Sequence, residues 1–373
     1  MSEMENPFAE AARLVDEAID WLAERLPANW VVARSQQRSE ARRLDGAIDL
    51  REPSGTITTL VVEARRELAP RDVDQLFSGL AGQLLALSSH IPVLIVAPWL
   101  SPRTRERLAE ADVNYLDLTG NALVKLERPA LFLQTMGAER SPAPVAARGA
   151  TRLRGAKAGR LVRLLADVQP PYGLQELVAA TRLNAGYVSR LLDELDRETL
   201  IDREPRGPVR AVRVDDLLRR WAQSYDVFKR NDAATFVAPQ GATAAFDRLV
   251  ARRWPGPIAV TGSFAAARRA PVAAPTLLAV YCEEPSAVAA DLDLLPADAG
   301  ANVVLLSAFD PVVWERTRRE DGVVYAADAQ VAVDCLTGNG RMPAEGEALL
   351  AWMADNESSW RAPSLDADDG GRR

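Results

Sequence analysis

The sequence predicts a multidomain α/β protein, and three observations predict it. Short apolar runs of strand length alternate with amphipathic helical stretches in residues 1–138 and again in 231–357, which is how α/β sheets read. Between them the pattern changes: residues 157–230 hold three helical patterns in close succession that run into an arginine-studded hairpin. Two stretches without apolar periodicity mark the joints. Residues 139–156 are rich in Pro, Ala, Gly and Arg and read as a linker. Residues 358–373, ending Asp366-Ala367-Asp368-Asp369-Gly370-Gly371-Arg372-Arg373, read as a disordered tail.

Composition excludes several functions. No apolar run reaches the roughly 18 residues of a membrane span, and Met1 to Glu10 lacks the basic start and apolar core of a signal peptide, so a cytoplasmic protein without a membrane partner is expected. Cys282 and Cys335 form no CxxC pair, and the single histidine, His90, reads as the end of a helix. Neither a structural zinc site nor a histidine-based triad can be assembled, and no cofactor or metal is expected. The net charge is −7, but residues 151–230 carry 16 Lys and Arg against 11 Asp and Glu, a local balance of +5 that leaves −12 for the rest. Positive charge therefore sits where the three helical patterns sit, as a module that meets a polyanion requires.

In the first unit, Phe8, Ala12, Val15, Ile19, Leu22 and Leu26 form one face of a helix stopped by Pro27. Extended stretches follow at Trp30 to Arg34, Ala47 to Arg51 and Thr56 to Ala64. Next come a helix from Arg71 to about Leu87, a buried strand Val93 to Ala97, and a helix capped by Ser101 with Pro102 at its first position. Strands around Val113 to Leu116 and Leu131 to Thr135 complete the sheet.

In the central unit, Leu161, Leu164, Leu165 and Val168 repeat at i, i+3, i+4, i+7. So do Leu174, Leu177, Val178 and Thr181, and then Val188, Leu191, Leu192 and Leu195. Each helix is expected to bury one stripe. Leu183, Asn184, Ala185 and Gly186 make the tight link between the second and third, and Leu200-Ile201, a turn at Arg206-Gly207-Pro208, and Val212 and Val214 flanking Arg213 make a hairpin. This is the sequence form of a winged helix-turn-helix. If the third helix turns its apolar stripe inward, Ser189, Arg190 and Asp193 face out, with Asn184, Gly186 and Tyr187 leading in. Those positions enter a major groove. Arg190 can fork onto a guanine edge, Ser189 and Tyr187 can donate to phosphates, and Arg203, Arg206, Arg210 and Arg213 can reach the backbone or minor groove of double-stranded DNA. Arg152, Arg154, Lys157 and Arg160 extend the basic surface. The alternative is an adaptor whose winged helix contacts protein, its arginines an ordinary solvated face.

The C-terminal α/β unit is expected to hold strands at Ile258 to Thr261, Thr276 to Cys282 and Asn302 to Leu306, and helices around Ala242 to Arg253 and Ala344 to Met353. A strand running into Gly262-Ser263 resembles the start of a nucleotidyltransferase, but Pro275 to Cys282 supplies none of the carboxylates that would hold metal. Asp291 and Asp293 have DxD spacing and read as a solvated helix end.

Two further resemblances bear on function. The order helix, three strands, helix, strand resembles the PD-(D/E)xK nuclease fold, with Asp49 on the second strand and Glu63 and Arg65 two apart, hence on one side, of the third. That resemblance implies that Asp49 and Glu63 hold Mg²⁺. Arg65, where the family has lysine, stays protonated and cannot act as a base, so the expectation is a scaffold that does not cut, with a Mg²⁺-dependent nuclease as the alternative. The run Val93 to Leu118 followed by Thr119-Gly120-Asn121-Ala122 resembles actinobacterial regulators grouped with the AbiEi-type antitoxins of type IV toxin-antitoxin systems. Its sharpest part is Asn114-Tyr115-x-Asp117-x-x-Gly120-Asn121, which reads physically as a turn closed by Asp117 and Asn121 around a positive φ at Gly120. Thr261-Gly262-Ser263-Phe264-Ala265-Ala266, Gly300-Ala301-Asn302-Val303, and Asp321-Gly322-Val323-Val324 with Asp328-Ala329-Gln330 extend the likeness, although members of that group begin with the winged helix, which here is central. The resemblance implies a DNA-binding transcriptional regulator, a repressor-antitoxin with a toxin or other protein partner; separately, the flanking α/β units are expected to mediate dimerisation, partner or ligand contact, and a homodimer is expected.

Overall fold

The computed structural model describes residues 7–35, 45–78, 92–139, 153–204 and 207–365. His90, Arg206, most of the expected linker and the tail from residue 366 lie outside them. The chain is a multidomain α/β protein that divides into two compact units, one of residues 1–150 with 197–199 and one of residues 151–196 and 200–373.

The first unit begins with α1 (Pro7–Arg25), β1 (Val31–Arg34), β2 (Gly46–Arg51), β3 (Ile57–Ala64) and α2 (Pro70–Ser78). It continues through β4 (Val93–Ala97), α3 (Pro102–Glu110), β5 (Asn114–Asp117), β6 (Ala122–Leu126) and β7 (Leu131–Thr135). Among the described residues the seven strands lie side by side in chain order. The β3, β4 and β5 pairings are parallel, and the remaining pairings are antiparallel. Parallel neighbours need crossovers, which α2 and α3 supply. All five residues of β4 are buried because both faces are covered. Leu94 and Val96 pack with Val15, Ala18 and Leu22 of α1 on one face; Val93, Ile95 and Ala97 pack with Val73 and Leu108 of α2 and α3 on the other. Ser101 caps α3 as expected, accepting from the Thr104 amide at 3.0 Å. The sequence reading passed over β6, whose short Ala-Leu-Val-Lys-Leu run breaks alternation at its buried start.

The second unit opens with α4 (Gly155–Asp167), α5 (Leu174–Thr181), α6 (Ala185–Arg197), the hairpin β8 (Ile201–Arg203) and β9 (Val209–Val212), and α7 (Val214–Ala222). Val214, expected in the hairpin's second strand, instead starts α7. After the short α8 (Val227–Arg230), the chain runs through β10 (Asp232–Val237), α9 (Ala242–Val250), β11 (Ile258–Thr261), α10 (Gly262–Ala266), β12 (Leu278–Cys282), α11 (Pro285–Asp291), β13 (Leu295–Pro296) and β14 (Val303–Ser307). A 3₁₀ turn (Pro311–Trp314), β15 (Arg318–Glu320), β16 (Val323–Tyr325), α12 (Asp328–Leu336), α13 (Met342–Asp355) and α14 (Glu357–Trp360) complete it. The sheet order is β13-β10-β14-β12-β11-β16-β15, with β12 parallel to β14 and antiparallel to β11.

Two expectations for this unit are corrected. First, α4 buries more than one stripe: Ala158, Gly159, Leu161, Val162, Arg163, Leu165, Ala166 and Asp167 are all buried. The sequence pattern marks the side toward the helices, and Gly159, Arg163 and Asp167, four apart, mark a second side that meets the Phe309–Glu315 segment and α12. A Cβ on Gly159 would come within 3.1 Å of Phe309 and 3.2 Å of Trp221. Arg163 is fully buried. Its Nε bonds Asp167 (3.0 Å), one Nη bonds the Gln330 side chain (3.0 Å), and the other bonds the Glu315 carbonyl (3.1 Å). The helices and the C-terminal sheet thus share one continuous apolar core. Second, residues 358–365, expected in a disordered tail, are folded. The Ala362 amide donates to Asp167 O (2.8 Å), the Gln169 amide donates to Ala362 O (2.8 Å), and the buried Arg361 donates to Leu165 O (2.9 Å), so this segment caps the end of α4.

Candidate functional site

The outward face of α6 and the adjoining hairpin form the candidate site. Asn184 sets where α6 begins: its side-chain oxygen accepts from the Gly186 amide (2.9 Å), and its carbonyl accepts from Tyr187 and Val188 (both 3.0 Å). Asn184 therefore acts first as a cap, although it is exposed. Arg182, in the left-handed region at φ 55°, ends α5 and turns the chain toward α6. Val188, Leu191, Leu192 and Leu195 are buried, as their spacing predicts, which leaves Ser189 partly exposed and Arg190 and Asp193 exposed. Tyr187 is half-buried against the core, and this burial raises its hydroxyl above the ordinary phenol range, so it stays a proton donor. Among the described residues, Arg190 has no ion-pair partner.

The hairpin arginines do not form one set. Arg203 is buried, and its guanidinium pairs with Asp193 of α6, so it cannot reach out as a backbone contact; its place on the inward side of β8 fixes this. Arg210 is exposed and pairs with Glu204 at 2.7 Å. Arg213 is exposed at the start of α7, where its amide bonds Leu200 O (2.9 Å). Arg206 lies outside the described residues. Arg160 is also withdrawn from the expected basic surface by a two-pronged bond to Asp310 (2.9 and 2.8 Å). The strand-period reading that finds a hairpin does not tell which arginine points inward when the pairing shifts, and it shifts between Asp202 and Arg203.

In the first unit, Glu63 and Arg65 share one side and form an ion pair, as the alternation predicts. Asp49 does not join them. It pairs in register with Thr59, whose hydroxyl donates to it at 2.6 Å, four residues before Glu63. Four residues of strand span about 13 Å, too far for one ion to bind both carboxylates. The acid opposite Glu63 is Asp45, which accepts from the Ala64 amide at 2.9 Å. The sequence reading missed Asp45 because it precedes β2 and only the cross-strand register reveals its neighbour. One Glu63 oxygen, Oε2, is buried without a hydrogen-bond partner among the described residues. No group of three or more His, Cys, Asp or Glu residues is placed to hold a metal ion among them.

The Asp117 turn is built as its sequence implies. Gly120 has φ +102°, and the fully buried carboxylate accepts from the amides of Leu100 (3.0 Å), Thr119 (3.0 Å) and Asn121 (3.1 Å) and from the Asn121 side chain (2.9 Å). Asn121 in turn holds the Gly137 amide (2.8 Å) and Ala138 carbonyl (3.0 Å). These donors are the chain's own.

At Gly262-Ser263 the nucleotidyltransferase likeness has no room for an anion. Ser263 is buried and donates to the Glu345 carboxylate on α13, and Met342 closes over Gly262. Asp291 pairs with Arg252 (3.0 Å) and Asp293 with Arg248 at the exposed end of α11.

The buried centre of the second unit is a polar cluster whose members lie far apart in the sequence. Asp334 is fully buried and accepts from Tyr225 (2.8 Å), Tyr281 (2.9 Å), Thr261 (2.6 Å) and Gln330 (2.8 Å). Burial pushes its carboxyl up to about 6, against the pull of those four donors. The only signal is two polar residues, Gln330 and Asp334, four apart in a helix that is otherwise apolar after Asp328 at its start. Comparison of the chain with family models, with curated proteins and with solved structures yields no match.

Proposed function

We propose that the chain is a sequence-specific DNA-binding transcriptional regulator whose central module works as a winged helix-turn-helix on double-stranded DNA. The observation that carries this reading is the outward face of α6: a capped helix start presents an exposed Arg190, without an ion-pair partner among the described residues, beside Ser189 and Tyr187, with Arg210 and Arg213 exposed on the hairpin side. An arginine in that position can fork onto a guanine, and the flanking groups can hold phosphates. The likeness to AbiEi-type regulators extends the proposal to a repressor-antitoxin acting as a homodimer with a toxin or other protein partner. In this reading the first unit is a nuclease-like scaffold, and the C-terminal sheet a nucleotidyltransferase-like fold without its acids.

The test is binding of the purified chain to its own upstream DNA and to a scrambled duplex, by fluorescence anisotropy across a salt series. Arg190→Ala should cost about 1–3 kcal/mol on the cognate site and little on scrambled DNA. Arg213→Ala should weaken both and lower the salt slope by about 0.9. Equal losses on both duplexes for Arg190→Ala would remove it as the base reader.

A second reading, a Mg²⁺-dependent nuclease, draws support from Glu63 Oε2, which is buried without a hydrogen-bond partner among the described residues. The donor set fits a metal only in part, since Arg65 already occupies the other Glu63 oxygen. Supercoiled DNA incubated with Mg²⁺ or Mn²⁺ separates the readings: cleavage abolished by Glu63→Ala would favour the nuclease.

A further inference from the structure

Resting on the DNA-reading proposal, we infer that Asp193 is a second specificity-determining residue, which accepts a hydrogen bond from the amino group of a cytosine in the base pair next to the one Arg190 reads. A carboxylate on a helix face that meets DNA is ordinarily a liability, because it repels phosphates. Asp193 nevertheless stands on the outward face of α6, one turn beyond Arg190, with its side chain 61% exposed. Three residues of helix advance about 4.5 Å along the axis. That is close to the 3.4 Å rise between base pairs, so the two side chains meet neighbouring steps.

The carboxylate is also held and half-neutralised. Oδ1 accepts from the buried Arg203 guanidinium, which anchors it to β8. Oδ2 has no partner among the described residues. A fixed carboxylate with one oxygen free is an acceptor without a donor to give, and of the base edges in the major groove, the cytosine N4 amino group is a donor with no acceptor beside it. Guanine presents two acceptors there, and would be repelled. The same pairing explains why a buried hairpin arginine meets an exposed acid: Arg203 positions Asp193 instead of touching DNA.

The experiment is selection of binding sites from a randomised duplex pool by the full-length chain, its Arg190→Ala variant, Asp193→Asn and Asp193→Ala. Asparagine keeps an oxygen for Arg203, so the hairpin stays anchored while the acceptor-only character is lost. The wild-type pool should enrich a cytosine adjacent to the Arg190-dependent guanine. Both Asp193 variants should lose that cytosine by about tenfold or more and keep the guanine. An unchanged base preference in both variants, with the guanine still Arg190-dependent, overturns the inference and leaves Asp193 as Arg203's anchor alone. A wild-type pool with no enriched sequence fails one step earlier, taking the DNA-reading proposal down and this inference with it.

Discussion

Asp117 is bound by so many donors that its removal is easy to predict. Asp117→Ala would leave the Leu100 and Asn121 amides buried without partners and the Thr119 amide partly exposed to water, and each buried group costs about 1–3 kcal/mol. Hydrogen exchange in the full-length chain should therefore accelerate sharply across residues 97–123; unchanged protection there would refute the structural role. Asp334 invites a different test. Burial raises its carboxyl from 3.8 to about 6, so the folded chain binds this proton more tightly than the unfolded chain does. The stability tied to that proton is full below about pH 4 and is lost as pH rises toward 6, a loss on the order of 3 kcal/mol. Asp167 and Asp328, also raised by burial, act in the same direction. Asp334→Asn cannot titrate. Relative to wild type it should be more favoured at pH 7.5 than at pH 4.5 in urea unfolding, and an equal difference at both pH values would show that Asp334 is already ionised throughout. At this scale the sequence was readable where a residue acts on its chain neighbours, as Asp117 and Ser101 do. It was silent where partners arrive from distant strands, as at Asp45 and Asp334.

At the scale of elements, α4 is the helix on which the second unit turns. Its i, i+3, i+4, i+7 pattern reports only the side that meets α5, α6 and α7. The other side holds Gly159, Arg163 and Asp167, and periodicity counts these as polar or neutral although they are buried. Arg163→Ala would leave Asp167 as a buried carboxylate without its cation, a change that typically costs 3–5 kcal/mol. Urea unfolding followed by the fluorescence of Trp221 and Trp314 should show a lower midpoint by that amount; a loss under about 1 kcal/mol would mean that water reaches the pair. The hairpin taught the complementary lesson. Its existence was legible from β-branched alternation and the Gly207-Pro208 turn, whereas the inward turn of Arg203 followed from a register shift that no alternation rule foresees.

For the whole molecule, the two α/β units were legible because strands and helices alternate along the chain. The sequence suggested a separable reading module at 157–230 followed by a separate C-terminal domain. In the structure these share one apolar core, joined by Arg163, Arg160–Asp310 and the Ala362 strand bridge to Val168. A fragment of residues 153–230 should therefore lack a cooperative thermal transition by circular dichroism, whereas 153–365 should retain one. A sharp transition in the shorter fragment would show that the helices fold alone. Among the described residues no helix is long and apolar enough to cross a membrane.

The fused core around α4 also limits where the chain can be cut and rejoined. Joining residues 153–230 to a different C-terminal part would leave Gly159, Arg163 and Asp167 without Phe309, Glu315 and Gln330 to pack and bond against. A chimera that keeps the helix carrying Arg190 must therefore keep Asp310, Glu315 and Gln330 with it.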